Sequence, residues 1–135
     1  MAAESAALRY SGPAQSESID CTHELLEQLW RLHPQVAELD RLMFATAVLE
    51  VANNILTHGQ PAAISLELTA DARELQAKLT DDGAAAVVNL DEAAMPDTWA
   101  QSGRGLAMVR MAVDDVSHHY VDGRNHWHLV RRRQG

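Results

Sequence analysis

Glu50-Val51-Ala52-Asn53-Asn54 sets a carboxylate and a carboxamide four residues apart inside a run that otherwise repeats at helical spacing. An α-helix advances about 100° per residue, so Glu50 and Asn54 stand one above the other on the same face. Leu42, Ala45, Val48, Leu49, Ala52, Ile55 and Leu56 form the apolar stripe of that helix. Glu50, Asn53, Asn54 and Thr57 form a polar strip on the opposite side, which runs into His58-Gly59, where the glycine reads as a helix stop. A solvated face of an amphipathic helix looks the same, so the stretch takes its meaning from the chain around it.

Upstream, residues 1–18 are an Ala- and Ser-rich tail broken at Gly12-Pro13, with Ala7-Leu8-Arg9-Tyr10 as a short edge strand. Ile19 to Leu32 repeats leucine at helical spacing, with Asp20 or Thr22 as N-cap and Pro34 as its end. The second helix, roughly Val36 to His58, carries the opening stretch. Downstream the period changes. Ala63–Thr69 and Glu74–Thr80 alternate apolar and polar residues around the turn Ala70-Asp71-Ala72-Arg73, which predicts an antiparallel hairpin. Asp81-Asp82-Gly83 ends the second of these strands. A mixed segment, Ala84–Ser102, leads to a helix over Gly105–Val113. Two further strands, Asp115–Val121 and Trp127–Arg132, flank the turn Asp122-Gly123-Arg124-Asn125. Two strand pairs with helices before and between them predict an α+β fold: a two-layer α/β sandwich, its largely antiparallel mixed sheet covered by helices on one face.

The composition bounds the function. A chain of 135 residues, 47% hydrophobic and 22% charged, is one soluble globular domain, here residues 19–133. Three Trp, two Tyr and one Phe leave the core mainly to Leu, Val and Ala. A formal net charge of −8 argues against direct nucleic-acid binding, and no apolar run is long enough for a membrane span or a secretory signal. The single Cys21 excludes an internal disulfide framework, and a cytoplasmic location is expected. Arg131-Arg132-Arg133 reads as a solvated chain end. Among the seven histidines, His118, His119, His126 and His128 read as exposed strand residues rather than a metal centre, and His58 as a helix-end residue. Met43, Met95, Met108 and Met111, at helical or loop positions, read as core fillers or lid contacts rather than a cofactor box.

Two more motifs carry chemistry. A carboxylate at a strand end, Asp81, can accept a hydrogen bond from an exocyclic amine such as that of adenine, and Gly83 lets a flat ring approach the backbone. Gly103-Arg104-Gly105-Leu106 sits at a helix entrance, where exposed N–H groups and the helix dipole favour a phosphate and Arg104 adds charge. Taken in order, a helical Glu-x-x-x-Asn, a strand-end Asp-x-Gly and a helix-opening Gly-x-Gly resemble the Bergerat-type ATP-binding fold of the GHKL superfamily of histidine kinase-like ATPases. Within it the chain looks most like the bacterial anti-sigma-factor serine kinases, over roughly Ile19 to Arg133.

That resemblance implies an ATP-dependent protein serine kinase with ATP and magnesium as cofactors. Glu50 would be the general base and Asn54 a magnesium ligand; Asp81 and Gly83 would take the adenine. Gly103, Arg104, Gly105 and Leu106 would hold phosphates, under a lid of Asp91–Ser102. The implied partners are an anti-anti-sigma protein of STAS type and a sigma factor or similar effector, with homodimers usual. Three positions depart from the pattern. Ala85 stands where a second glycine is usual, Asn53 where a small residue is usual, and no Thr is assignable on the closing strand. A non-catalytic sequestering module with the same fold, or a nucleotide hydrolase, are the alternatives.

Overall fold

The computed structural model describes residues 7–86 and 100–134. The elements run β1 (Leu8–Pro13), α1 (Glu17–Leu32), α2 (Glu38–Asn54), β2 (Ala63–Ala70), β3 (Glu74–Asp81), α3 (Ala100–Ala112), β4 (Asp115–Val121) and β5 (Arg124–Arg132). A π-helical turn, Ile55–Gly59, prolongs α2. The strands form one sheet in the order β1-β2-β3-β5-β4, with every pairing antiparallel. Alternation decides which face is covered. Ile64, Leu66, Leu68, Ala70, Leu75, Ala77 and Leu79 are buried, while Ser65, Glu67, Gln76 and Lys78 between them are not. The buried face meets Leu29, Phe44, Val48, Val51 and Val109 of the helices. The α+β two-layer sandwich expected from the sequence is the fold observed.

Several local expectations are corrected. The buried face of α2 is Phe44, Ala47, Val48, Val51 and Ala52, and Leu42 is 61% exposed. The helix packs against α1 and α3 as well as the sheet, so its apolar arc turns toward Phe44, whose ring meets Trp30 edge-on at 6.1 Å. Helix α1 starts ahead of both expected caps, and Thr22 lies inside it, donating to the Ser18 carbonyl at 2.7 Å. The edge strand runs on to Pro13, so the tail's second half belongs to the sheet. Of the two readings for Met108 and Met111, their exposure excludes the core one.

The basic run is not simply solvated. Arg131 is buried, donating from Nε to Asp40 Oδ1 at 2.9 Å and from Nη1 to the Ala112 carbonyl at 2.8 Å. The backbone N–H of Gln134 donates to Asp40 Oδ2 at 2.9 Å. Asn125, Trp127, Leu129 and Arg131 alternate onto the inner face of β5, which puts the arginine where only a paired charge is tolerated. No helix among the described residues is long and apolar enough to cross a membrane.

Candidate functional site

The end of α2, the end of β3 and the inner face of β5 line a cleft, with Asn54, His58, Asp81, Leu106, Asn125 and Trp127 around it together with residues 84–86. Helix α2 ends here in the π turn, a widening that recurs at functional sites because it turns a side chain out of register. Asn54 is 8% exposed, and its Nδ2 has no hydrogen-bond partner among the described residues. Gln60 closes the turn in the left-handed region at φ 48°.

Asp81, the last residue of β3, lies opposite Asn125 of β5. Its Oδ1 accepts the Gly83 N–H at 2.8 Å and Asn125 Nδ2 at 3.1 Å. All its hydrogen bonds among the described residues fall on Oδ1, leaving Oδ2 for a ligand. Burial pushes its carboxyl above the usual range, partly opposed by the bonds from Gly83 and Asn125. Asn125 Nδ2 also donates to the Ala84 carbonyl at 2.9 Å, while its Oδ1 accepts from Ala86 N–H at 2.9 Å. With the amide so oriented, its contact with His118 at 2.8 Å requires the histidine to carry a proton on Nε2. Asp82 serves a different end: exposed, it accepts the Ala62 and Ala63 N–H groups at 2.8 and 2.9 Å and braces the start of β2.

Gly83 is glycine for a reason the sequence does not show. A Cβ there would collide with the Gly59 carbonyl oxygen, which also accepts the Ala84 N–H at 3.1 Å. The close approach of β3's end to the π turn, as well as any ring, demands the missing side chain. Ala85 is not among the described non-glycine residues at positive φ, so the fold places no glycine requirement there.

Gly105 and Leu106 are placed differently from the expectation. Helix α3 begins at Ala100, so the glycines lie inside its first turns rather than ahead of it. Gly105 has the helical residue Gln101 four positions back, so its N–H is not one of those left free at a helix start. A Cβ on Gly105 would stand 2.5 Å from Glu50 Oε2. The glycine therefore admits the half-buried Glu50 carboxylate against α3. Leu106 is buried in the cleft wall. The expectations for the Arg104 side chain, for Met95 and for residues 91–99 of the lid over Asp91–Ser102 lie outside the described residues, while residues 100–102 belong to α3.

Sequence reasoning misses Asn125, Trp127 and His118. It puts Asn125 in a four-residue turn, whereas the turn is Asp122-Gly123, at φ 53° and 76°. Two left-handed residues make the tight hairpin that Asp-Gly favours, and that signal returns Asn125 to the strand. His118 is half-buried against the Trp127 ring at 4.6 Å, unlike the exposed His119 and His126; His128, also half-buried, contacts Gln76 Oε1 at 2.9 Å. Among the described residues no three His, Cys, Asp or Glu side chains gather as a metal centre. A magnesium ion would thus fit Asn54 as one oxygen ligand completed by phosphates and water, the coordination this ion prefers.

The chain matches the histidine kinase-like ATPase domain family over residues 13–130. No curated protein matches it. Among solved structures it is similar to the RsbU and RsbW domains of Rv1364c from Mycobacterium tuberculosis, with a TM-score of 0.68 at 16% identity. The match covers 95% of this chain but only 32% of that one, and at this identity the likeness shows a shared fold.

Proposed function

The chain belongs to the histidine kinase-like ATPase domain family, and from that premise we propose that it is an ATP-binding regulator that phosphorylates a serine of an antagonist protein. The antagonist is an anti-anti-sigma protein of STAS type, and the regulator also sequesters a sigma factor or analogous effector. The observation that carries the nucleotide reading is Asp81: a buried carboxylate held through Oδ1 by Gly83 and Asn125, its other oxygen without a partner among the described residues beside an apolar cleft. Such an acceptor suits the exocyclic amine of adenine. One helix turn separates Asn54, in the cleft, from Glu50, under Gly105. That spacing suits a magnesium ligand at Asn54 and a general base at Glu50 one turn away from it.

In this reading Glu50 takes the proton of the attacking serine hydroxyl as its oxygen bonds to the γ-phosphorus. The bond from that phosphorus to the β,γ-bridging oxygen breaks, and ADP leaves with the electron pair. Magnesium, with Asn54 as its protein ligand, would neutralise the charge on the phosphates. Gly103, Arg104 and Gly105 are proposed to meet the phosphates; for Gly105 this requires the first turns of α3 to open, since its N–H is otherwise bonded within the helix. Of the three departures from the family pattern, those at Ala85 and the closing strand do not count against this reading. Ala85 takes an ordinary backbone conformation, and Asn125 supplies the support for Asp81 that the missing Thr would give.

The test is incubation with γ-labelled ATP and candidate STAS proteins. Label should pass to a serine of the partner, and Glu50→Ala should still bind nucleotide while losing transfer by about a hundredfold or more. Free phosphate without labelled partner identifies a hydrolase; binding with neither product identifies a sequestering module.

A further inference from the structure

Residues 84–86 line the cleft, yet the segment 83–86 that leaves β3 belongs to no helix or strand. Backbone outside regular structure must find its hydrogen bonds group by group. Here one side chain of another element supplies most of them. Asn125 Nδ2 donates to the Gly83 and Ala84 carbonyls at 3.4 and 2.9 Å, and its Oδ1 accepts the Ala86 N–H at 2.9 Å. The same Nδ2 reaches Asp81 Oδ1 at 3.1 Å. From the other side, the Ala84 N–H donates to the Gly59 carbonyl at 3.1 Å.

These partners leave the amide one orientation. Flipped, it would set its oxygen against a carboxylate and two carbonyls, and its N–H groups against the Ala86 N–H. His118 Nε2, at 2.8 Å from Oδ1, adds a further donor from β4. Asn125 is 2% exposed, so these bonds meet little competition from water. One buried amide thus fixes the Asp81 carboxylate and the backbone beside it in a single frame.

We propose that Asn125 is a positioning residue that holds the nucleobase-facing wall of the cleft preformed, clamping 83–86 onto β5 before any nucleotide binds. The proposal rests on the nucleotide reading of the cleft. A wall ordered in the free protein spares the ligand that ordering cost. The clamp also accounts for Ala85: its neighbours Ala84 and Ala86 are both tied, so no hinging glycine is required between them.

Amide hydrogen exchange of the nucleotide-free wild type, followed by NMR, reads the clamp directly. The Ala86 N–H should exchange at least about tenfold more slowly than an unstructured amide. Asn125→Asp tests the link to binding. It keeps Oδ1 as an acceptor but sets a second carboxylate against Asp81, and two carboxylates so close do not both ionise readily. By titration calorimetry its Mg-ATP affinity should lie about tenfold or more below the wild type at pH 8.5. It should rise severalfold by pH 6, where a proton on the pair, or on His118 beside it, relieves the repulsion, while the wild-type affinity does not rise. His58, which also lines the cleft, is common to both proteins. An Ala86 amide that exchanges unprotected overturns the clamp while the nucleotide site stands. So does a variant that matches the wild type at pH 8.5, or one whose affinity does not rise toward pH 6. If the wild type binds no Mg-ATP, the nucleotide reading falls and the proposal with it. Should Asn125→Asp fail to fold, the exchange of Ala86 in the wild type decides alone.

Discussion

Asp81 concentrates the physics of the site in one side chain. It is 3% exposed, and burial raises its pKa above the ordinary 3.8 although Gly83 and Asn125 oppose the shift. A carboxyl raised in the folded state holds its proton more tightly there than in the unfolded chain. Stability from this group is therefore present at low pH and is lost as pH rises from 3.8 toward the raised value. Asp81→Asn keeps a carbonyl oxygen for Gly83 and Asn125 but never ionises. Urea unfolding from pH 3.5 to 7 should accordingly show the variant gaining on the wild type as pH rises, reaching a plateau above the raised pKa. A difference that stays flat or shrinks with pH would show that Asp81 is not a buried charge held against its preference. The residue scale also separates the two ends of the opening stretch. Asn54 is buried in the cleft with an amide nitrogen lacking a described partner, whereas Glu50 is half-buried where only a glycine on α3 leaves it room.

At the scale of elements, the β4–β5 hairpin decides whether the site forms. Its two-residue turn sets Asn125 opposite Asp81, and a slip of one residue would carry Asn125 and Trp127 to the solvent face. Gly123 sits at φ 76° with open space where a methyl would stand, so Gly123→Ala meets no neighbour and carries only backbone strain. The expected cost is about 1 kcal/mol in urea unfolding, with nucleotide affinity unchanged in the folded fraction. A change in affinity larger than twofold would mean that the turn shapes the site and does more than set its register. Most elements are legible in the sequence. Alternation announces β2, β3 and β4 with boundaries within a residue or two, and leucine spacing announces α1 and α2. What escapes does so where local signals compete. Asn and Arg beside Asp-Gly read as turn residues, which hides the start of β5 and with it Asn125. Glycines 103 and 105 read as a helix entrance, because the tertiary reason for Gly105, its approach to Glu50, is invisible along the chain. Arg131 reads as a solvated end, although the alternation Trp127, Leu129, Arg131 already aims it inward. The motif residues Glu50, Asn54, Asp81 and Gly83 are legible; the network of Asn125, His118 and Trp127 that frames one of them is not.

Across the whole molecule one charge pair ties the layers together. Asp40 at the start of α2 is fully buried and receives Arg131 from β5 and the N–H of Gln134, while Arg131 also caps the end of α3. Removing one partner strands the other in the interior, so Asp40→Ala should cost about 3–5 kcal/mol in thermal or urea unfolding. Replacing both, as in Asp40→Leu with Arg131→Met, should restore most of that loss; equal destabilisation by the single and double changes would place the cost in packing rather than in the bare charge. This tie lies at the opposite end of α2 from the cleft, so the double variant should still bind nucleotide. The two-layer fold thus holds its stability at one end of α2 and its chemistry at the other. Everything proposed for that second end depends on the cleft between α2, β3 and β5 binding Mg-ATP through Asp81. Titration calorimetry of the wild type against Asp81→Asn at neutral pH decides it. Saturable binding of Mg-ATP by the wild type is expected, with at least a tenfold loss in a variant that remains folded. No detectable binding by the wild type at millimolar nucleotide, or equal binding by the two proteins, would contradict it.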